Sequence, residues 1–187
     1  MIFKSTPIPG SFEIDLSPFS DERGVFSRLY CEDEFKAAGI RHPAIVQVNH
    51  SLTREKGTIR GMHYQYPPFA EVKIIRCLKG RVYDVVVDLR KNSPGFLKWH
   101  PIELSPEGYN MAYIPEGCAH GFQTLEENSE LLYFHTAFYN KENEGGVCYN
   151  DPHLAIQWPL PPLNVSGKDK SYPLLDDTFG GVMMFPF

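Results

Sequence analysis

Sixteen prolines and fifteen glycines cut this chain of 187 residues into short segments. Proline lacks a backbone donor and glycine loses more entropy on ordering than any other residue, so neither suits the interior of a long helix. Many of the segments between them are rich in Val, Ile, Phe and Tyr, which favour pleated, half-buried surfaces. The pattern predicts strands over Ser11–Leu16, Val25–Tyr30, Ala44–Ser51, Thr58–Gln65, Glu71–Lys79, Arg81–Leu89, Lys98–Leu104, Met111–Ile114, Gly121–Thr124 and Glu130–Phe138. Gly80 is expected to make a turn between two of them. Only Glu32–Ala38 reads as a helix, acidic at its start and followed by Gly39. Ten short strands separated by turn signals imply an all-β antiparallel sandwich or barrel. The length suits one domain, and the proline-rich residues from Pro159 onward are expected to wrap its surface.

The formal charge of −5 argues against a general nucleic-acid surface, though not against a local basic pocket for a small anion. No apolar run reaches membrane-spanning length, and the first residues carry no signal-peptide core. Cys31, Cys77, Cys118 and Cys148 form no CxxC pair, and a chain of this size needs no disulfides. Reduced thiols and a cytoplasmic location are therefore expected.

The chemistry concentrates in Thr58–Cys77, TIRGMHYQYPPFAEVKIIRC. Arg60, His63, Gln65 and Lys73 stand there on two strand-like runs joined by a proline turn. A single histidine in a strand is more often structural than catalytic. Here two cations lie near it, and His120 arrives on another segment, PEGCAHGF. Cations beside an imidazole favour its neutral form, which can accept a proton. Strict alternation puts Arg60 and His63 on opposite faces; a bulge at Gly61 would bring them together. Lys73 reads either as a protective edge-strand lysine or as a cation facing a developing oxyanion. In ELLYFHTAF, Leu131, Tyr133, His135 and Ala137 share one face, and Tyr133 can serve as a general acid if it is not merely core.

Other positions carry weaker signals. Tyr139, at a strand end, could stack on a ring. The DERG turn offers Arg23 as a forked phosphate grip. Gln47 and Asn49, two apart in VQVNHS, face one way. His63-Tyr64-Gln65 falls short of an HxH metal pair, because an amide oxygen is a poor ligand for zinc or iron. No metal and no cofactor are expected: dinucleotide and P-loop motifs are absent, as is the serine-hydrolase GxSxG.

Taken in order, RGMHYQ, KIIRCLKGRVYDVVVDLRKNSPGF, YIPEGCAHGFQTL, LLYFHTAFY, YNDPHLAIQWPL and SGKD strongly resemble the dTDP-4-dehydrorhamnose 3,5-epimerase family, in register from DERG to SGKD. The resemblance implies a cupin-type jelly roll with a few short peripheral helices. It implies a homodimer that exchanges N-terminal strands, no metal, and a nucleotide-linked 4-keto-6-deoxyhexose as substrate. It also implies roles: His63 as base oriented by Asp169, Lys73 with His120 at the enolate oxygen, Tyr133 as acid on the other sugar face, and Tyr139 stacked on the nucleobase. Arg23, Gln47, Asn49, Arg60, Glu144 and Lys168 fall where the family holds nucleotide, pyrophosphate or sugar. The residue types fit, because a C4 ketone acidifies C3 and C5 and inversion needs a base and an acid on different faces.

Arg28 departs from the family, which usually has a glutamate there that accepts hydrogen bonds at the nucleobase. A guanidinium only donates. The expectation is an altered nucleotide, a looser grip, or a grip made by other residues. Phe134 replaces a frequent lysine, for which we have no account. Two other readings compete: a non-catalytic sugar-nucleotide-binding cupin, and a metal-dependent cupin oxygenase or isomerase. Within the epimerase reading, inversion at a single centre is the alternative to inversion at both.

Overall fold

The computed structural model describes residues 1–40 and 44–184. The end of the expected surface tail, residues 185–187, lies outside the described residues. In chain order the strands are β1 (Ile2–Ser5), β2 (Phe12–Asp15), β3 (Phe19–Asp21), β4 (Gly24–Phe26), β5 (Gln47–Thr53), β6 (Ile59–Gln65), β7 (Lys73–Lys79), β8 (Val82–Asp88), β9 (Trp99–Leu104), β10 (Asn110–Ile114), β11 (Cys118–Thr124), β12 (Ser129–His135) and β13 (Glu144–Gly146). Two short helices accompany them, α1 (Glu32–Ala37) and α2 (Gly167–Ser171).

The strands form a six-stranded sheet, β1-β2-β10-β7-β12-β5, a five-stranded sheet, β13-β6-β11-β8-β9, and a separate β3-β4 hairpin. Every pairing between named strands is antiparallel. The central core lies between the sheets. Ile75, Ala112, Ile114 and Leu131 from one meet Val82, Val86, Ile102, Leu104 and Phe122 from the other. Alternation then places Val85, Val87, Met62 and Tyr64 on the outer face of the five-stranded sheet, where Leu154, Ile156, Leu175 and Val182 cover them. The C-terminal segment thus packs along a sheet face. The outer face of the other sheet, with Ile14, Ile74, Met111 and Tyr113, is covered by Phe35 and Ile40. This is the cupin jelly roll, an all-β sandwich with short peripheral helices.

Helix α1 ends for a local reason. Gly39, at φ +75°, lets the Ile40 amide bond back to the Phe35 carbonyl and its own amide to the Lys36 carbonyl. Gly61 matters more to the site. Its φ is +124°, and a Cβ there would stand 2.5 Å from the Gly121 Cα. Across β6 and β11, His63 faces His120 while Arg60 faces Phe122, so the register shifts between them. The bulge breaks strict alternation and lets Arg60 and His63 line the same cavity. The edge-strand reading of Lys73 is corrected: β7 lies between β10 and β12, an interior position.

Candidate active site

A cavity of about 920 Å³ opens between β5, β7 and β12 on one side and β6 and β11 on the other. His63 enters it from β6. Its Nε2 lies 2.7 Å from Asp169 Oδ1, leaving Nδ1 as the ring nitrogen outside that contact. Asp169 is buried, and its second oxygen accepts the Gly61 amide at 3.2 Å. Burial by itself would raise this carboxyl, but the bonds from His63 and Gly61 prevail and hold it below its ordinary value. A carboxylate so held fixes the tautomer and orientation of the imidazole. Asp169 owes its place to the sequence Ser166-Gly-Lys-Asp169. The Ser166 hydroxyl caps α2 by accepting the Asp169 amide at 3.0 Å.

His120 sits opposite His63 in the β6–β11 pair, with its Nε2 2.6 Å from Asp84 Oδ2. It is buried. Burial lowers its pKa and prevails over Asp84, which raises it; the nearby Lys73 and His63 lower it a little further. Tyr133 comes from β12, on the other sheet, and packs edge-on against the His120 ring at 6.2 Å between centroids. Burial pushes its phenol well above the ordinary range, so it keeps its proton at neutral pH. Lys73 Nζ lies 3.4 Å from Glu71 Oε1 and 3.5 Å from the His63 carbonyl. A largely buried ammonium at this depth interacts with new negative charge far more strongly than it would in water.

The cavity mouth is more polar. Tyr139 is exposed, and its hydroxyl donates to Glu144 Oε2 at 2.9 Å. Glu144 also pairs with Lys168 at 2.5 Å. Gln47 and Asn49 share a face as expected, with the Gln47 amide donating to Asn49 Oδ1 at 3.2 Å. Arg60 Nε donates to Thr53 at 2.9 Å. The structure therefore brings His63, Asp169, Lys73, His120, Tyr133, Arg60, Gln47, Asn49, Tyr139, Glu144 and Lys168 to one cavity. It does not bring Arg23 and Arg28 there. Arg23 lies on the exposed β3–β4 hairpin and pairs with Asp21, while Arg28 pairs with Glu34 at 2.7 Å.

Three residues in or behind the cavity wall escaped the reading of the residues. Asp84 and Glu71 act through partners 36 and 64 positions away, and Ser166 caps the turn that carries Asp169, 3 positions on. The only local signal was the Ser-x-x-Asp capping pattern at Ser166. Among the described residues, no three His, Cys, Asp or Glu side chains converge as a metal site. The cavity histidines are engaged by carboxylates: His50 by Glu130, His63 by Asp169, His120 by Asp84 and His135 by Glu71. Nor is any helix among the described residues long and apolar enough to cross a membrane.

Known proteins share this fold over most of the chain. The family model for dTDP-4-dehydrorhamnose 3,5-epimerase matches residues 5–177. A dTDP-4-dehydrorhamnose 3,5-epimerase of Salmonella typhimurium is 42% identical over 177 residues, 94% of this chain and 96% of that protein. The crystal structure of a dTDP-4-dehydrorhamnose 3,5-epimerase from Elizabethkingia anophelis superposes with a TM-score of 0.89 at 41% identity, over 95% of this chain and 98% of that one. A dTDP-6-deoxy-D-glucose-3,5-epimerase from Legionella pneumophila, solved with dTDP-4-keto-L-rhamnose, gives 0.89 at 34% identity over 98% and 99%. With the match running through both sheets and the His63–Asp169 pair, this chain belongs to the dTDP-4-dehydrorhamnose 3,5-epimerase family.

Proposed function

We propose that this protein inverts C3 and C5 of a dTDP-linked 4-keto-6-deoxyhexose by proton abstraction and reprotonation through an enolate. The observation that carries the reading is the division of labour between the sheets. His63 with Asp169 stands on the five-stranded side of one cavity, and Tyr133 and Lys73 stand on the six-stranded side. A sugar ring held there has a base on one face and an acid on the other.

The neutral His63 takes a proton from the carbon beside the ketone. The C–H electron pair becomes the enolate double bond, and the carbonyl pair moves onto O4. Lys73 faces that oxygen as its charge develops. Tyr133 then donates its hydroxyl proton to the same carbon from the opposite face, the phenolate is reprotonated from solvent, and His63 returns its proton to solvent. Repetition at the second carbon completes the inversion. Tyr139 supplies a stacking surface at the exposed mouth, and Glu144, Lys168, Arg60, Gln47 and Asn49 hold the polar parts of the sugar nucleotide. The reaction as written uses neither metal nor organic cofactor.

Dimerisation supplies a place for Arg23 and Arg28. The β3–β4 hairpin exposes Phe19, Val25 and Phe26, with Phe26 73% exposed, which is costly for a free surface. In the homodimer read from the family resemblance, this hairpin would reach the partner's cavity and bring Arg23 to the nucleotide. Arg28, tied to Glu34, would stay on the helix α1 side and leave the nucleobase to other groups. Buried Cys77, Cys118 and Cys148 are free thiols, which suits a cytoplasmic enzyme.

The test is turnover of a dTDP-4-keto-6-deoxyhexose by the unaltered protein beside His63→Ala. Loss of a positioned base costs about 10²–10⁴-fold in rate. A variant that keeps full turnover would overturn the role of His63.

A further inference from the structure

Two ionisable side chains in the cavity wall have no part in the chemistry above. Glu71 lies just before β7 and His135 ends β12, with side chains 8% and 11% exposed. Glu71 Oε2 accepts from His135 Nδ1 at 2.7 Å, and its other oxygen lies 3.4 Å from Lys73 Nζ. On the far side of the ring, His135 Nε2 is 3.2 Å from Asn49 Nδ2. Asn49 Oδ1 accepts from Gln47 Nε2, and Gln47 Oε1 accepts the Tyr139 amide, both at 3.2 Å.

These contacts have one consistent direction. The Asn49 amide donates to Nε2, so the His135 proton sits on Nδ1 and is donated to Glu71. The series runs from the Tyr139 backbone through Gln47, Asn49 and His135, and it ends on an anion beside Lys73. The register explains why it closes: Gln47, His135 and Lys73 occupy one row across β5, β12 and β7. The His135 ring also lies nearly parallel to Tyr133, with centroids 6.0 Å apart and planes at 21°.

Burial works against a charge on Glu71, but His135 and Lys73 outweigh it and hold the carboxyl below its ordinary value. A buried ion cluster of this kind is weak evidence for stability, since apolar residues of the same volume would serve the fold equally well. Its place against the enolate-stabilising cation and the sugar-binding amides points to function.

We propose that Glu71 and His135 form a positioning pair. Glu71 holds the Lys73 ammonium where the enolate oxygen develops, and His135 ties that anion to the amides that grip the sugar nucleotide. The proposal rests on the epimerase reading, and the test separates the two. Glu71→Gln keeps an acceptor for His135 but removes the charge facing Lys73. Its kcat is expected to fall about tenfold or more, as for loss of support to an oxyanion site. Its KM and its affinity for dTDP are expected to stay within about twofold, because no uniform binding contact is lost. His135→Leu leaves the charge on Glu71 but strips Asn49 of its acceptor, so KM is expected to rise about fivefold or more. That variant carries the test if the first does not fold. Full kcat in Glu71→Gln beside an inactive His63→Ala would overturn the pair and leave the epimerase reading intact. So would a fall in kcat matched by equal losses in dTDP affinity and thermal stability, or an unchanged KM in His135→Leu.

Discussion

Three of the cavity histidines, His63, His120 and His135, are each paired with a buried carboxylate, but the pairs do different work. His63 keeps a nitrogen outside its contact with Asp169, whereas His135 is engaged at both nitrogens and His120 is buried against Asp84. His120 gives the clearest pH prediction. Burial first, then neighbouring positive charge, lowers its pKa in the folded chain. The unfolded chain therefore takes up a proton near pH 6.5 that the folded chain refuses, so stability is full above that pH and lost as pH falls below it. Glu71, Asp88 and Asp169 are held low as well, but they act only below about pH 4.5. The unfolding midpoint is expected to fall between about pH 7 and pH 5.5. His120→Asn, whose amide can still donate to Asp84, should flatten that slope; an unchanged slope would assign the effect elsewhere. At this scale the residue types were legible and their partners were not. His63, Lys73 and Tyr133 stood out because base, cation and acid are unusual on apolar strands. Asp169 entered only through the family resemblance, since the 106 positions between it and His63 leave no local trace. Glu71 and His135 lie within two residues of Lys73 and Tyr133, yet only the β7–β12 pairing makes them partners.

The elements explain why these residues meet. The strands from Thr58 to Phe138 were readable because each carries branched or aromatic residues between turn formers, and the structure shifts their ends by up to three residues. Short pieces were missed: β1, β3, β13 and α2 span three to five residues and depend on tertiary partners rather than on propensity. β13 exists because Gly145 and Gly146 lie against Tyr64, Tyr66 and Tyr172, where a Cβ would collide with the rings. The five-residue α2 exists because Ser166 caps it. Ser166→Ala should cost about 1 kcal/mol of cap energy. That corresponds to a fall of about 2–4 °C in the unfolding midpoint for a chain of this size. Because the same turn presents Asp169 to His63, kcat is expected to fall about tenfold while dTDP affinity holds. Matching calorimetry with steady-state kinetics checks this, and a variant with lowered stability but full kcat would detach the cap from the catalytic pair.

For the molecule as a whole, the two sheets act as two walls with different chemistry. The five-stranded sheet brings His63, proposed as the base, and the six-stranded sheet brings Tyr133, Lys73, Gln47 and Asn49, proposed as acid, cation and sugar-nucleotide grip. The jelly roll was legible as an alternating all-β pattern. The sequence could not show how the strands divide between sheets, because that depends on pairings across tens of residues. Nor could it show that Arg23 and Arg28 stand apart from the cavity of their own chain. The central claim is that base and acid on opposite walls invert two carbons in turn. Running the reaction on a dTDP-4-keto-6-deoxyhexose in D₂O and counting deuterium at C3 and C5 by NMR tests it directly. The account predicts solvent deuterium at both carbons of the epimerised product. Deuterium at one carbon would reduce the enzyme to a single-centre epimerase, and deuterium at neither would contradict the account.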